Sequence, residues 1–401
     1  MKLNRGEKKA REIGWHALVH TGLAIVTSLA WTGCGGNPST TTGCGNNCAP
    51  PAAEFLYALE GNPFSNPPET VATYGVNLST GIAGPATNNL AVPFSTLAIK
   101  ATTSGKFFYV SDAGTDSIYG YSVDPRTGSL AGITGSPFSL GGISHTGPYG
   151  IAMDPLDRFL YVSNCTSDCG IFGFTINRDT GALAMMPGAP TPTGPGVFAA
   201  AVDPSGKFLY VGGIGFIAGF SIDSTSGVPT PLPAPPFPLP SSCGEPVDMV
   251  FHPSGKFMYA VTDCNNNTVC LVILMTVGTD GSLTMPNQQF AMAGATSWSA
   301  VVDPKGKFLY AAGLFEGSIS TFAINSASGV LMPVNGSPFD TGGQPYDLAL
   351  DPTGQFLYAS DVLNDVVLSL NVSPMGLLNP VGQPVSTDPM DPTWLALVKR
   401  P

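Results

Sequence analysis

DPSGKFLY, residues Asp203–Tyr210, is the phrase that decides the fold. It returns as HPSGKFMY from His252 to Tyr259, as DPKGKFLY from Asp303 to Tyr310 and as DPTGQFLY from Asp351 to Tyr358. Looser copies run from Asp154 to Tyr161 and from Thr103 to Tyr109, and a copy without the turn stands at Glu54-Phe55-Leu56-Tyr57. The closing tyrosines fall at 57, 109, 161, 210, 259, 310 and 358, a period of about fifty residues. That is the length of one four-stranded blade.

Each repeat has one grammar. In the fourth, Val197–Val202 reads as an apolar strand and Asp203-Pro204-Ser205-Gly206 as a tight turn. Proline presets φ at the second turn position and glycine accepts a positive φ at the last. Lys207–Gly212 is the second strand, Ile217–Ile222 the third, and Ser224–Gly227 turns into the fourth. The matching third strands are Ile118–Val123, Ile171–Ile176, Leu271–Val277, Ile319–Ile324 and Val366–Asn371. Nothing after the leader holds a 3.6-residue apolar period, so the expectation is an all-β chain. The first repeat begins at a second-type strand, Phe55–Leu59, with no inner strand before it, while Thr393–Val398 is left over and matches the inner strands. The left-over strand is expected to become the innermost strand of the first blade. Residues 54–401 then form a closed seven-bladed β-propeller of four-stranded antiparallel blades, with no open edge.

Residues 1–33 read as an export signal: a basic start, an apolar stretch from Trp15 to Trp31, then small residues. Thr32-Gly33-Cys34-Gly35-Gly36 resembles a bacterial lipoprotein processing site with Cys34 as the lipidated residue; Trp31 replaces the usual leucine, and ordinary signal-peptide cleavage is the alternative. Residues 34–53, rich in Gly, Ser, Thr, Asn and Pro, read as a flexible tether. The expected location is the cell envelope, on the periplasmic side of the outer membrane or at the cell surface, with the lipid as the only membrane contact. The net charge is −11, yet Lys2, Arg5, Lys8, Lys9 and Arg11 all lie in the leader. The rest carries 11 Lys and Arg against 25 Asp and Glu, which disfavours nucleic acid as a partner.

Phe107-Phe108-Tyr109-Val110-Ser111-Asp112 and Phe159-Leu160-Tyr161-Val162-Ser163-Asn164 follow turns of the DPxGK kind. In this the chain resembles the lactonase-type seven-bladed propellers (YVTN-like, 6-phosphogluconolactonase-like repeats), and the resemblance covers about residues 54 to 399. It implies the fold and suggests 6-phosphogluconolactonase activity. The same blade pattern also serves cofactor-bearing dehydrogenase subunits and plain binding proteins.

If each inner strand runs from a top face to a bottom face, every DPxGK turn lies at the bottom. The loops between second and third strands lie on top, where propeller ligands usually bind. All 11 cations of the body then fall at the bottom, whereas Asp112, Asp116, Asp168, Glu245, Asp248, Asp263, Glu316, Asp347, Asp361, Asp365 and Asp391 fall on top. A phosphorylated sugar lactone needs cations at its phosphate, so the charge map argues against the suggested substrate. Aligned on the turns, Thr96, Gly150, Ala199, Asp248, Ser299, Asp347 and Trp394 are expected to ring the channel mouth. One step earlier stand Ser95, Tyr149, Phe198, Val247, Trp298, Tyr346 and Thr393. Two readings stay open. Tyr149, Trp298, Tyr346 and Trp394 beside Asp248 and Asp347 form a pocket for a sugar or a cation, or they wedge between blades while the carboxylates cap loops. Asp248, Asp263, Asp347 and Asp361 are the candidate ligands for Ca²⁺, and His145, Asp248 and Asp347 the candidate catalytic groups.

No HExxH, P-loop or GxSxG elbow is present, and His252 replaces a turn aspartate and reads as structural. The eight cysteines suit an oxidising compartment; Cys165 with Cys169, and Cys264 with Cys270 and nearby Cys243, are placed to staple top loops. The expected function is a binding module for a small neutral or cationic ligand or a protein partner. The alternative is a lactone hydrolase acting on a non-phosphorylated lactone.

Overall fold

The computed structural model describes residues 54–61, 69–93, 95–141, 147–164, 170–194, 196–233, 236–240, 244–262, 270–286, 290–294, 297–387 and 391–399. The leader and tether, with Cys34, lie outside the described residues.

The second strand of every blade is buried along nearly its whole length, as in Phe107–Asp112 and Phe257–Thr262. It is covered on both sheet faces, so its sequence is continuously apolar rather than alternating, and this is why FLYV repeats so legibly. It pairs antiparallel with an inner strand and a third strand, for example Tyr161 with Ala152 and with Gly173. Seven such sheets are present. In the first, Glu54–Glu60 takes Pro392–Lys399 as its inner neighbour, with Glu54 opposite Lys399 and Tyr57 opposite Ala396. The ring is closed as expected.

Two details differ from the reading of the sequence. The outermost strand of blades two to seven is split: after Leu130–Gly132 the chain turns and a second short piece, Phe138–Ser139, pairs with the upper part of the same third strand. In blade two the inner strand is shifted against the expected alignment. Thr102 does the work of the turn aspartate, its Oγ1 accepting the Phe107 N–H at 3.0 Å as Asp203 Oδ1 accepts that of Phe208 at 2.7 Å. Ala98, opposite Ser111, therefore stands level with Asp248, opposite Val261, and Thr96 lies higher, opposite Asp112.

Packing is between blades rather than within one central core. Phe257, Tyr259 and Leu274 of the fifth blade close on Leu309, Ala311 and Phe322 of the sixth, and equivalent apolar layers fill every seam. At the bottom five of the seven seams are latched by the repeat's own tyrosine. The hydroxyls of Tyr57, Tyr109, Tyr161, Tyr210 and Tyr259 donate to the carbonyls of Gly128, Gly181, Gly227, Gly281 and Gly329 of the next blade at 2.7–2.8 Å. Gly227 shows why the acceptor is glycine: its φ is +77°, and a Cβ there would lie 2.4 Å from the Phe159 ring. The hydroxyls of Tyr310 and Tyr358 are buried and make no such bond. His252 is structural, as expected. Its Nδ1 accepts the Ser254 N–H at 3.1 Å, which puts the proton on Nε2 for donation to Gly306 O of the next blade at 3.0 Å.

Candidate functional site at the channel mouth

Asp248 and Asp347 sit at the same height on the inner strands of the fifth and seventh blades. Each carboxylate bridges to the next blade. Asp248 accepts its neighbour Met249 N–H at 2.8 Å and the Ala300 N–H of the sixth blade at 3.1 Å. Asp347 accepts the Leu348 N–H at 2.8 Å and the Leu395 N–H of the closing strand at 2.7 Å. Between them, at the level of Asp248 and Asp347, Ser299 Oγ accepts the Leu348 N–H at 3.3 Å. Two second-strand serines complete the belt: Ser163 donates to Phe198 O at 3.2 Å and Ser360 to Thr393 O at 2.6 Å. The sequence did not single these serines out. Their signal is the residue after FLYV or FLYA in FLYVS and FLYAS.

Burial pushes both carboxyls up. For Asp347 the pKa rises to about 6, with the Asp248 charge adding to the effect of burial and the Leu395 amide and Ser299 hydroxyl opposing it. Asp248 is raised by burial too, against the pull of the Ala300 amide and of Lys100. Among the described residues every Lys and Arg lies in a bottom turn or the lower part of an inner strand, as the charge map has it, and the Lys100 ammonium on its inner strand partly offsets the effect of burial on Asp248.

One step above this belt the aromatic residues meet. Trp298 and Tyr346 stack with centroids 5.8 Å apart and planes at 11°, and Trp394 meets Tyr346 edge-on at 5.5 Å. The three belong to consecutive blades and form an arc on one side of the mouth, each partly exposed. On the other side Tyr149, 38% exposed, meets Phe198 edge-on at 5.2 Å. The Tyr346 hydroxyl is held above the ordinary phenol range by burial and by Asp347.

The structure thus brings Asp347, Trp298, Tyr346 and Trp394 together, with Asp248 on the blade that flanks Trp298, and the described candidates Asp248, Asp347 and Asp361 do not form a metal-binding set. Asp361 is fully buried and caps its own loop, one oxygen accepting the Gln344, Leu363 and Asn364 amides at 2.9–3.1 Å and the other the Asn364 side chain at 3.3 Å. Among the described residues no three of His, Cys, Asp and Glu converge on a common point. His145, Asp168, Asp263, Cys165, Cys169, Cys243 and Cys264 lie outside the described residues; of Cys270 only the backbone is described, at the start of a third strand.

With the geometry in hand, comparison with known proteins is direct. A profile described as lactonase, 7-bladed beta-propeller, matches residues 78–197 and 186–394. The chain belongs to this lactonase propeller family. Among solved structures it is similar to a candidate 6-phosphogluconolactonase of Bacteroides uniformis, at 23% identity and a TM-score of 0.71 over 86% of this chain and all of that one. The periplasmic gluconolactonase of Pseudomonas aeruginosa gives 17% and 0.70 over 87% and 99%. A candidate 6-phosphogluconolactonase of Bacteroides fragilis gives 20% and 0.70 over 88% and 100%. At these identities the likeness is one of fold. No curated protein matches the chain by sequence.

Proposed function

We propose that this lactonase-family propeller is a ligand-binding protein whose mouth takes an uncharged or cationic ring-shaped molecule, a sugar or a small cation, against the Trp298–Tyr346–Trp394 arc. The observation that carries the reading is the arc itself. Parallel and edge-on rings offer stacking faces, Asp347 stands directly below, and the described part of that rim holds no cation for a phosphate. The two mouth carboxylates support binding over catalysis, because each has both oxygens engaged by backbone N–H groups that hold the ring together.

The chain has four tryptophans and only Trp298 and Trp394 lie beyond the leader, so fluorescence of the exported form reports on the mouth alone. Titration with neutral sugars, neutral lactones and quaternary ammonium ions is expected to give a saturable change, weakened about tenfold by Trp298→Ala. A flat response to every class sinks the proposal.

A second reading, hydrolysis of a non-phosphorylated lactone, draws on family membership and on the Asp347 carboxyl, raised to about 6 and so both ionised and appreciably basic at neutral pH. Turnover of a neutral lactone that disappears in Asp347→Asn or His145→Ala, with the fold intact, would put this reading first. We further infer export and lipid attachment at Cys34. Labelling with a palmitate analogue, lost in Cys34→Ser, tests the attachment.

A further inference from the structure

Asp112 and Asp361 occupy the same place in their blades, the last residue of the second strand, opposite Thr96 and Pro345 respectively. Asp361 has both oxygens occupied, one of them by the Gln344 N–H that precedes its inner strand. In the second blade this arrangement is broken. Glu69, at the top of the first blade, reaches across the seam and takes the Thr96 N–H on its Oε2 at 2.9 Å. Asp112 keeps only its own loop, with Oδ2 accepting the Thr115 N–H at 2.8 Å and the Thr115 hydroxyl at 2.5 Å. Both carboxyls are fully buried, and one oxygen of each, Glu69 Oε1 and Asp112 Oδ1, has no hydrogen-bond partner. They share Thr96 as a neighbour, one bonded to its amide and one opposite it across the ladder. Glu69 feels the Asp112 charge, and Asp112 feels that of Asp116, itself 8% exposed.

Two buried carboxylates that neighbour the same residue, each with an open oxygen and no described Lys or Arg at that rim, are strongly unfavourable unless something positive compensates them. We propose that Glu69 Oε1 and Asp112 Oδ1 hold a divalent cation of the calcium type across the seam between the first two blades. Carboxylate oxygen is the donor such hard ions take, the two charges balance the ion, and water fills the remaining positions. The site takes no ligand from the aromatic arc and does not depend on how the mouth is used. Its alternative is one proton shared by the pair.

The test titrates calcium chloride into the chelator-stripped full chain by calorimetry. One binding event is expected, weakened at least tenfold in Asp112→Asn, together with a rise of about 2–4 °C in the thermal midpoint that this variant lacks. Glu69→Asp keeps the charge and shortens the reach, and it is expected to weaken calcium by a similar factor, so it carries the test if Asp112→Asn does not fold. Absence of calcium binding to the unsubstituted chain, or affinity unchanged in Asp112→Asn and in Glu69→Asp, overturns the proposal. A calcium-insensitive chain made more stable near neutral pH by Asp112→Asn identifies the shared proton instead.

Discussion

At the bottom rim five tyrosines make the same bond to the same glycine of the next blade, whereas at the top rim the bridging group changes from seam to seam. A glutamate bridges the first seam to the second blade, a serine the third to the fourth, aspartates the fifth to the sixth and the seventh to the first. The apolar layers beneath are alike all round. Regular chemistry therefore belongs to the rim that only has to hold, and irregular chemistry to the rim where the aromatic arc and the buried carboxylates lie. A repeat protein can vary one rim freely because the apolar layer fills every seam and five of the seven are also latched at the other rim.

The difference can be broken deliberately. The largest effect is expected at a latch glycine: Gly227→Ala forces a side chain into a positive φ and against Phe159, and should cost about 2–4 kcal/mol in denaturant unfolding. Asp347→Ala comes next. It takes the carboxylate acceptor from the Leu395 amide of the closing seam and leaves the Leu348 amide with the longer Ser299 bond alone, for about 2–3 kcal/mol. Tyr161→Phe should cost about 1–2 kcal/mol by orphaning Gly227 O, whereas Tyr358→Phe, which removes a hydroxyl with no partner, should be neutral or slightly stabilising. Equal losses in the two tyrosine variants would mean the latch bond contributes nothing.

A further small effect sharpens the comparison at one of the two seams that lack the latch. Glu54, buried there beside Tyr358, has its carboxyl raised to about 7 by burial and by Asp351, against the pull of Lys399. The folded chain then holds a proton that the unfolded chain releases near pH 4.5, so this contribution is full below that pH and is lost as pH rises through about 7. After allowance for solvent screening it amounts to about 1 kcal/mol. Glu54→Gln should flatten the stability profile across that window, and thermal unfolding at a series of pH values measures it.

Most of the fold is legible in the sequence, because a strand buried on both faces must be apolar throughout and a tight turn needs proline and glycine in fixed places. The repeat, its period and the closing strand all follow from these two constraints. The second blade misleads for the same reason: Thr102 performs the aspartate's hydrogen bonding without its signature, and alignment on the turn slips from Ala98 to Thr96. The split outer strand is missed because three and two residues are too few to show a period. At the site, Asp248, Asp347 and the aromatic arc can be placed at the mouth by counting. That both carboxylates are consumed by neighbouring backbone amides, or that Glu69 displaces Asp112 from its usual role, depends on seams between blades. No local pattern encodes a seam.

The ring is joined by Pro392–Lys399 lying along Glu54–Glu60, residue 399 beside residue 54. In translation the second of these segments emerges early and the first much later. For nearly all of its synthesis the chain is therefore an open crescent whose leading sheet has a bare, apolar flank. Joining ends so far apart costs chain entropy that only the final strand can offset. A nascent chain stalled before residue 392 has nothing with which to cover that flank, and it is a natural client for a chaperone or a protease.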